Sequence, residues 1–147
     1  MSQPARVPPD LLSRDYEGSL ATLRLARRDV VDFLDQHGAD EETKERAAII
    51  VSELTSNAVQ ASPGFAYNIE VARVDDAVAI SVRNRPEAGL PPPREEWRPA
   101  QDVTLVQLSP RGRGLAIVES LSEELTIQHE GDEVVITARL RLEAEPE

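Results

Sequence analysis

Apolar residues recur at intervals of three and four along two segments, a pattern that predicts amphipathic helices over 19–36 and 40–62. Asp40 is a favoured helix N-cap, and two glutamates follow it where the helix dipole is positive. Pro63 and Gly64 end the second pattern. The second helix therefore has a marked start and a marked end.

Elsewhere apolar residues alternate with polar ones over short stretches, which predicts strands. The predicted strands are an edge strand at 14–18 and four longer ones at 66–74, 77–83, 124–129 and 133–142. A third helix is predicted over 114–121. Helices grouped on one face of a mixed, largely antiparallel sheet make a two-layer α/β sandwich, so the expected fold class is α+β.

The length of 147 residues and the lack of internal repeats indicate a single domain. We expect a flexible N-terminal arm over 1–13, the domain over 14–142 and a frayed tail over 143–147. Residues 84–112 carry six of the chain's eleven prolines and no periodic pattern. A loop of this length in a compact domain is usually functional or mobile, and its position suits a lid.

The composition disfavours several classes of protein. Sixteen basic residues against 27 acidic ones give a formal net charge of -11, so nucleic-acid binding through phosphate neutralisation is not expected. The chain has neither cysteine nor a run of 18 apolar residues, and we expect a cytoplasmic protein that does not associate with membranes. A polyanion such as ATP would have to be bound by local groups, because the net negative charge of the protein repels it.

The second predicted helix carries a polar rim beside its apolar face. At about 100° per residue, Asn57 falls about 20° outside the apolar arc and Glu53 about 60° outside it, with Gln60 slightly further round. The apolar arc consists of Ala47, Ile50, Val51, Leu54, Ala58 and Ala61. The rim would line a crevice beside the helix, although a half-solvated boundary of any amphipathic helix would have the same residues.

Two further features help to decide whether the rim lines a binding crevice or is an ordinary helix boundary. In RGRGLAIVESL, which starts at Arg111, Gly112 and Gly114 come just before a predicted helix, where free backbone N–H groups favour an anion. A glycine-rich hinge would have the same sequence. The strand AISVRN ends with the polar side chain of Asn84 at the mouth of the sheet.

These motifs resemble those of the GHKL (Bergerat-fold) ATPases. ELTSNAVQA is similar to the family's N box, whose core is Glu-x-x-x-Asn, and RGRGL is similar to its second glycine box. Asn84, followed by Pro86 and Gly89, resembles the first glycine box. The resemblance extends over 14–142 and points to anti-sigma-factor serine kinases and stand-alone ATP-binding regulators. It implies a histidine-kinase-like ATPase fold that uses ATP and Mg²⁺.

The resemblance also implies roles for particular residues. Glu53 would be the base or orienter for the attacking hydroxyl, and Asn57 would hold Mg²⁺ on the triphosphate. Arg111 or Arg113 would be a charge partner of the phosphates. The nucleotide-binding positions implied in this sequence are Asn57, Asn84, Gly89, Arg111, Gly112, Arg113, Gly114 and Leu115.

Asn84 departs from the family, which usually has an Asp there to accept a hydrogen bond from the adenine amino group. An amide oxygen can also accept this bond. A neutral hydrogen bond is weaker than a charged one by about 1 kcal/mol, which corresponds to about five- to tenfold in affinity.

Three functions are compatible with these features. The leading hypothesis is an ATP-binding, anti-sigma-factor-like regulator that phosphorylates a STAS-type anti-sigma-factor antagonist on serine or threonine, sequesters a sigma factor and forms a homodimer. The first alternative is a non-catalytic partner-switching module with a degenerate nucleotide site, which Asn84 favours. The second is the catalytic domain of a sensor histidine kinase, which the lack of a dimerising, His-bearing helix pair in the sequence disfavours.

Overall fold

The computed structural model describes residues 10–86 and 110–143. For residues 110–113 it describes the backbone only. The elements, in chain order, are β1 (Leu11–Tyr16), a 3₁₀ turn (Leu20–Thr22), α1 (Leu23–Gln36), α2 (Glu41–Ala61), β2 (Tyr67–Val74), β3 (Ala77–Asn84), α3 (Pro110–Leu121), β4 (Glu124–Glu130) and β5 (Glu133–Arg141). The predicted helices and strands are all present, in the predicted order.

The described strands form one sheet in the order β1-β2-β3-β5-β4. Each pair of neighbours is antiparallel, so this part of the chain has a more uniform sheet than the mixed one expected. The β2–β3 and β4–β5 hairpin turns each have a left-handed residue, Asp75 at φ 57° and Gly131 at φ 66°. The α+β fold class is confirmed.

Three element starts differ from the sequence prediction. α1 begins at Leu23, not at residue 19, because a 3₁₀ turn (Leu20–Thr22) precedes it. β1 begins at Leu11, not at residue 14, because its pairing with β2 continues to Leu11 opposite Ala72, and it therefore includes part of the expected arm. α3 begins at Pro110, four residues before the predicted start. Proline suits the first helical position because its missing N–H would have no intrahelical partner there.

The core lies between the sheet and the helices. The residues predicted to form the apolar face of α2 are all buried. They share the core with the side chains that alternate along the inner face of the sheet, among them Ile69, Val71, Val78, Ile80, Val82, Val134, Ile136 and Ala138. None of the helices in the two described ranges is long and apolar enough to cross a lipid bilayer.

The N-terminus of α2 is fixed to the end of β5. The Asp40 carboxylate accepts a hydrogen bond from the Thr43 backbone N–H at 2.8 Å, which confirms Asp40 as the N-cap. The Asp40 N–H donates to the Leu142 carbonyl at 3.1 Å, and the Thr43 hydroxyl donates to the Arg141 carbonyl at 3.0 Å. This helix is therefore bonded to the last strand as well as packed on the sheet.

A polar cluster joins α1 to the edge strand. The Tyr16 hydroxyl donates to the Asp29 carboxylate at 2.7 Å, and Arg14 donates to the same oxygen at 2.9 Å. The Tyr16 ring stacks on Tyr67 with 5.5 Å between the ring centroids. Burial and the hydrogen bond to Asp29 raise the pKa of Tyr16, so its hydroxyl keeps its proton at neutral pH.

Candidate functional site

The polar rim of α2 has the graded exposure that the helical pattern predicts. Asn57 is buried, with 9% of its surface exposed, Glu53 one turn earlier is half-buried, and Gln60 is exposed. Because Glu53 and Asn57 are four residues apart, they lie on the same side of the helix. The structure therefore brings the two candidate residues of the N box together at the edge of the core.

The N-terminal part of α3 lies directly against this rim. A Cβ atom built on Gly114 would be 2.8 Å from Glu53 Oε2, so the Glu53 carboxylate is in contact with the α3 backbone. The first N–H groups of a helix have no intrahelical acceptor and lie at its positive end. In α3 these groups belong to residues 111–113, which directly precede Gly114. The arrangement places the Glu53 carboxylate, which is one turn from Asn57 on α2, beside the N-terminal part of α3.

Asn84 lies at the end of β3 on the face of the sheet that the helices cover. It continues the buried positions Val78, Ile80 and Val82, and only 8% of its surface is exposed. Its side-chain N–H donates to the Ser62 hydroxyl at 3.5 Å, and that hydroxyl donates to the backbone carbonyl of Arg85. Asn84 is therefore linked to the residue that follows α2.

Ser62 is a neighbour of the site that the sequence did not reveal. In the sequence it stands only as the end of a helical pattern before Pro63, and a serine in that position is ordinary. Its contact with Asn84 spans 22 residues and depends on how α2 packs over β3. No local signal in the sequence could have indicated this contact.

The remaining predicted site residues fall into three groups. Leu115 is 1% exposed and packs in the core, so it anchors α3 to the rest of the domain. Arg111, Gly112 and Arg113 lie in the first turn of α3, inside the helix instead of before it, and their side chains lie outside the described part. Gly89 and most of the expected lid also lie outside the described residues.

The residues that are described fit a magnesium–nucleotide complex. An Asn side-chain oxygen is a suitable Mg²⁺ ligand, and Mg²⁺ usually takes only one or two protein ligands together with phosphates and water. Within 10–86 and 110–143, no three His, Cys, Asp or Glu side chains are grouped to hold a metal by themselves. If Mg²⁺ is bound here, Asn57 would supply one of its protein ligands, and phosphate oxygens would supply others.

An α+β sandwich whose central helix carries a Glu-x-x-x-Asn rim against a glycine-containing helix start is the architecture of the GHKL-type ATPase domain. The family described as "Histidine kinase-like ATPase domain" matches residues 16–140, which is most of the chain. The chain belongs to this family. The resemblance found in the sequence is thus confirmed.

Solved structures show the same fold at low sequence identity. The RsbU and RsbW domains of Rv1364c from Mycobacterium tuberculosis match with a TM-score of 0.67 and 21% identity over 92% of this chain, which spans 33% of that longer chain. A chain of the SiaB–SiaC complex from Pseudomonas aeruginosa matches with a TM-score of 0.61 and 18% identity, covering 89% of this chain and 90% of its own. Among proteins with curated descriptions, none matches the sequence.

Proposed function

We propose that this protein is an ATP-binding regulator of the anti-sigma type that phosphorylates a STAS-type antagonist protein on serine or threonine. The contact of Glu53 with the N-terminal part of α3, one turn from Asn57, carries the proposal. A site that only bound nucleotide would need the amide and the backbone donors but not an adjacent carboxylate. The carboxylate supplies a group that can orient or deprotonate a hydroxyl.

In this proposal each element of the site has a separate task. The first-turn N–H groups of α3 bind phosphate oxygens, and Asn57 binds Mg²⁺, which neutralises charge on the transferred phosphoryl group. Glu53 accepts the proton of the attacking serine or threonine hydroxyl. Asn84 accepts a hydrogen bond from the adenine amino group through its side-chain oxygen, while its N–H is directed at Ser62.

The partner class comes from the family resemblance and from the similar structures. One of these contains an RsbW domain, and the other is a complex of SiaB with a second protein, SiaC. We propose a STAS-type antagonist as the phosphorylated partner and a sigma factor as the sequestered one, with both reactions in the cytoplasm. We include homodimer formation in the proposal because two exposed apolar residues, Leu11 on the edge strand β1 and Val74 on the neighbouring strand β2, lie on the same, outer face of the sheet.

Titration with Mg-ATP by calorimetry tests the nucleotide site. We expect binding in the micromolar range, and a loss of at least about tenfold in affinity in Asn57→Ala because a metal ligand is removed. Gln60→Ala is the matched control, since Gln60 is on the same helix but exposed and should leave binding unchanged. No binding by the unchanged protein up to millimolar Mg-ATP would contradict the proposal.

Transfer of phosphate from radiolabelled ATP to candidate STAS-domain proteins tests the kinase activity. Glu53→Ala should abolish transfer while Mg-ATP still binds, because the carboxylate acts on the hydroxyl and not on the nucleotide. Gln60→Ala again serves as the control and should transfer phosphate normally.

A second candidate function is a partner-switching module without catalysis. Asn84 favours it, because a neutral side chain replaces the usual carboxylate at the adenine position. In that case Glu53→Ala would leave partner binding and cellular output intact. Loss of partner phosphorylation in Glu53→Ala, with partner binding retained, would exclude this candidate.

A further inference from the structure

Gly114 is a glycine at a position where backbone conformation does not require one. It is the fifth residue of α3, and it does not have a positive φ, unlike Gly38, Gly64 and Gly131. Glycine inside a helix lowers the folding equilibrium constant by about two- to fivefold relative to alanine. Some other property of the site must therefore account for the missing side chain.

The space that a side chain would need at Gly114 is filled by Glu53. The position of a Cβ atom on Gly114 is 2.8 Å from Glu53 Oε2 and 3.8 Å from both Glu53 Cβ and Cδ. Contacts below 3.0 Å are essentially never made by real Cβ atoms. A methyl group at residue 114 and the present position of the carboxylate exclude each other.

We propose that Gly114 is a positioning residue for Glu53: the missing side chain lets the carboxylate lie against α3, where the proposed phosphoryl transfer needs it. This inference rests on the proposed function for its consequence, although the contact itself does not. It also separates the two glycines of the RGRGL motif. Gly112, in the first turn, keeps its phosphate-binding role. Gly114, which the resemblance includes among the nucleotide-binding positions, instead makes room for the carboxylate of the neighbouring helix.

Alanine at residue 114 should displace the carboxylate and leave the fold intact. The atom it would meet is the end of a flexible side chain, and Glu53 is half-buried, so this side chain has room to turn away. The helix itself gains from alanine. The expected variant is therefore a folded protein of equal or greater stability whose phosphoryl transfer is impaired. If Gly114 were needed only for folding, Gly114→Ala would be less stable, and its phosphoryl transfer would be unimpaired.

A double-mutant cycle on the protein without nucleotide tests the contact. Urea unfolding is measured for the unchanged protein, Gly114→Ala, Glu53→Ala and the double variant. In the Glu53→Ala background, Gly114→Ala should raise the folding equilibrium constant by about two- to fivefold, as in an open helix. With Glu53 present the gain should be clearly smaller or absent. An equal gain in both backgrounds would overturn the inference.

The functional readout distinguishes the inference from the proposed function. Gly114→Ala should bind Mg-ATP with an affinity within about twofold of normal, but its transfer rate at saturating Mg-ATP should fall at least about tenfold, since small misplacements of a reacting group are costly. Weakened nucleotide affinity with an unchanged saturated rate would overturn the positioning role. If the unchanged protein binds no Mg-ATP, the proposed function fails, while the stability cycle still reports on the contact.

Discussion

At the scale of single residues, Asn84 illustrates how a hydrogen-bond partner selects between an amide and a carboxylate. The Ser62 hydroxyl has one proton, and it is directed at the Arg85 carbonyl, which can only accept. The Ser62 oxygen can then only accept a hydrogen bond from residue 84. The side-chain N–H of Asn84 donates this bond at 3.5 Å. A carboxylate at this position would face an oxygen with no proton to offer. The asparagine therefore matches its surroundings in this chain.

Asn84→Asp should lower the stability of the nucleotide-free protein at neutral pH by about 1–3 kcal/mol, because it buries a charge beside an acceptor. Burial raises the pKa of such a carboxyl above its unfolded value, so the loss should shrink as the pH falls toward 4. Mg-ATP should bind about five- to tenfold more tightly to this variant, since the adenine amino group would then meet a charged acceptor.

Urea unfolding at two pH values and calorimetry check these expectations. Asn84→Ala is the control, because it removes the polar group without adding charge and should weaken Mg-ATP binding. Equal stability of Asn84→Asp and the unchanged protein at neutral pH would show that Ser62 turns its hydroxyl toward the carboxylate.

At the scale of elements, α2 is the structural centre of the site and is anchored independently of it. Its apolar face packs on the sheet, and its N-terminus is capped by Asp40 and bonded to the end of β5. The candidate site residues Glu53 and Asn57 lie in its second half. The N-cap and Asn57 are 17 positions apart, which corresponds to about 25 Å along the helix axis. Stability and ligand binding can therefore be changed separately on this one helix.

Asp40→Ala should destabilise the protein by about 1 kcal/mol, the usual contribution of a helix N-cap, and leave the affinity for Mg-ATP unchanged. Chemical unfolding and calorimetry measure the two quantities. Asp40→Asn keeps a capping side chain and should retain most of the stability. A matching fall in nucleotide affinity in Asp40→Ala would mean that the two ends of α2 are coupled.

The elements also show which parts of the structure the sequence could predict. Hydrophobic periodicity located α2 within one residue at each end, because Asp40 and Pro63 mark its limits. The start of α3 was placed four residues too late, since glycines at 112 and 114 read as a break although packing against α2 sustains the helix. Contacts between distant segments, such as Glu53 with Gly114, depend on tertiary packing and leave no local signal.

At the scale of the whole molecule, two properties act in opposite directions on self-association. The sheet is covered by helices on one face, while its outer face carries accessible apolar side chains near one end, Ala72, Val74 and Ala79, with Val74 66% exposed. An exposed apolar patch favours association. The net charge of -11 on each chain opposes it, and this repulsion is screened by salt.

The proposed homodimer should therefore tighten as the salt concentration rises. Light scattering over a range of protein concentrations, at low and at physiological ionic strength, measures the effect. Val74→Asp should shift the protein to monomers, because it places a charge in the apolar patch. Leu20→Asp is the matched control, since Leu20 is 68% exposed but lies on the 3₁₀ turn. A monomer at all concentrations and salt levels would contradict dimer formation.

The bonds between the start of α2 and residues 141–142 have a consequence for the order of events during biosynthesis. Ribosomes make the chain from the N-terminus, so α2 is synthesised long before the carbonyl groups that hold its first turn. β5, which flanks β3, and the residue that follows β5 carry these carbonyl groups, and they are made after the other described helices and strands. The first turn of α2 can therefore make these two bonds only after residue 142 has left the ribosome.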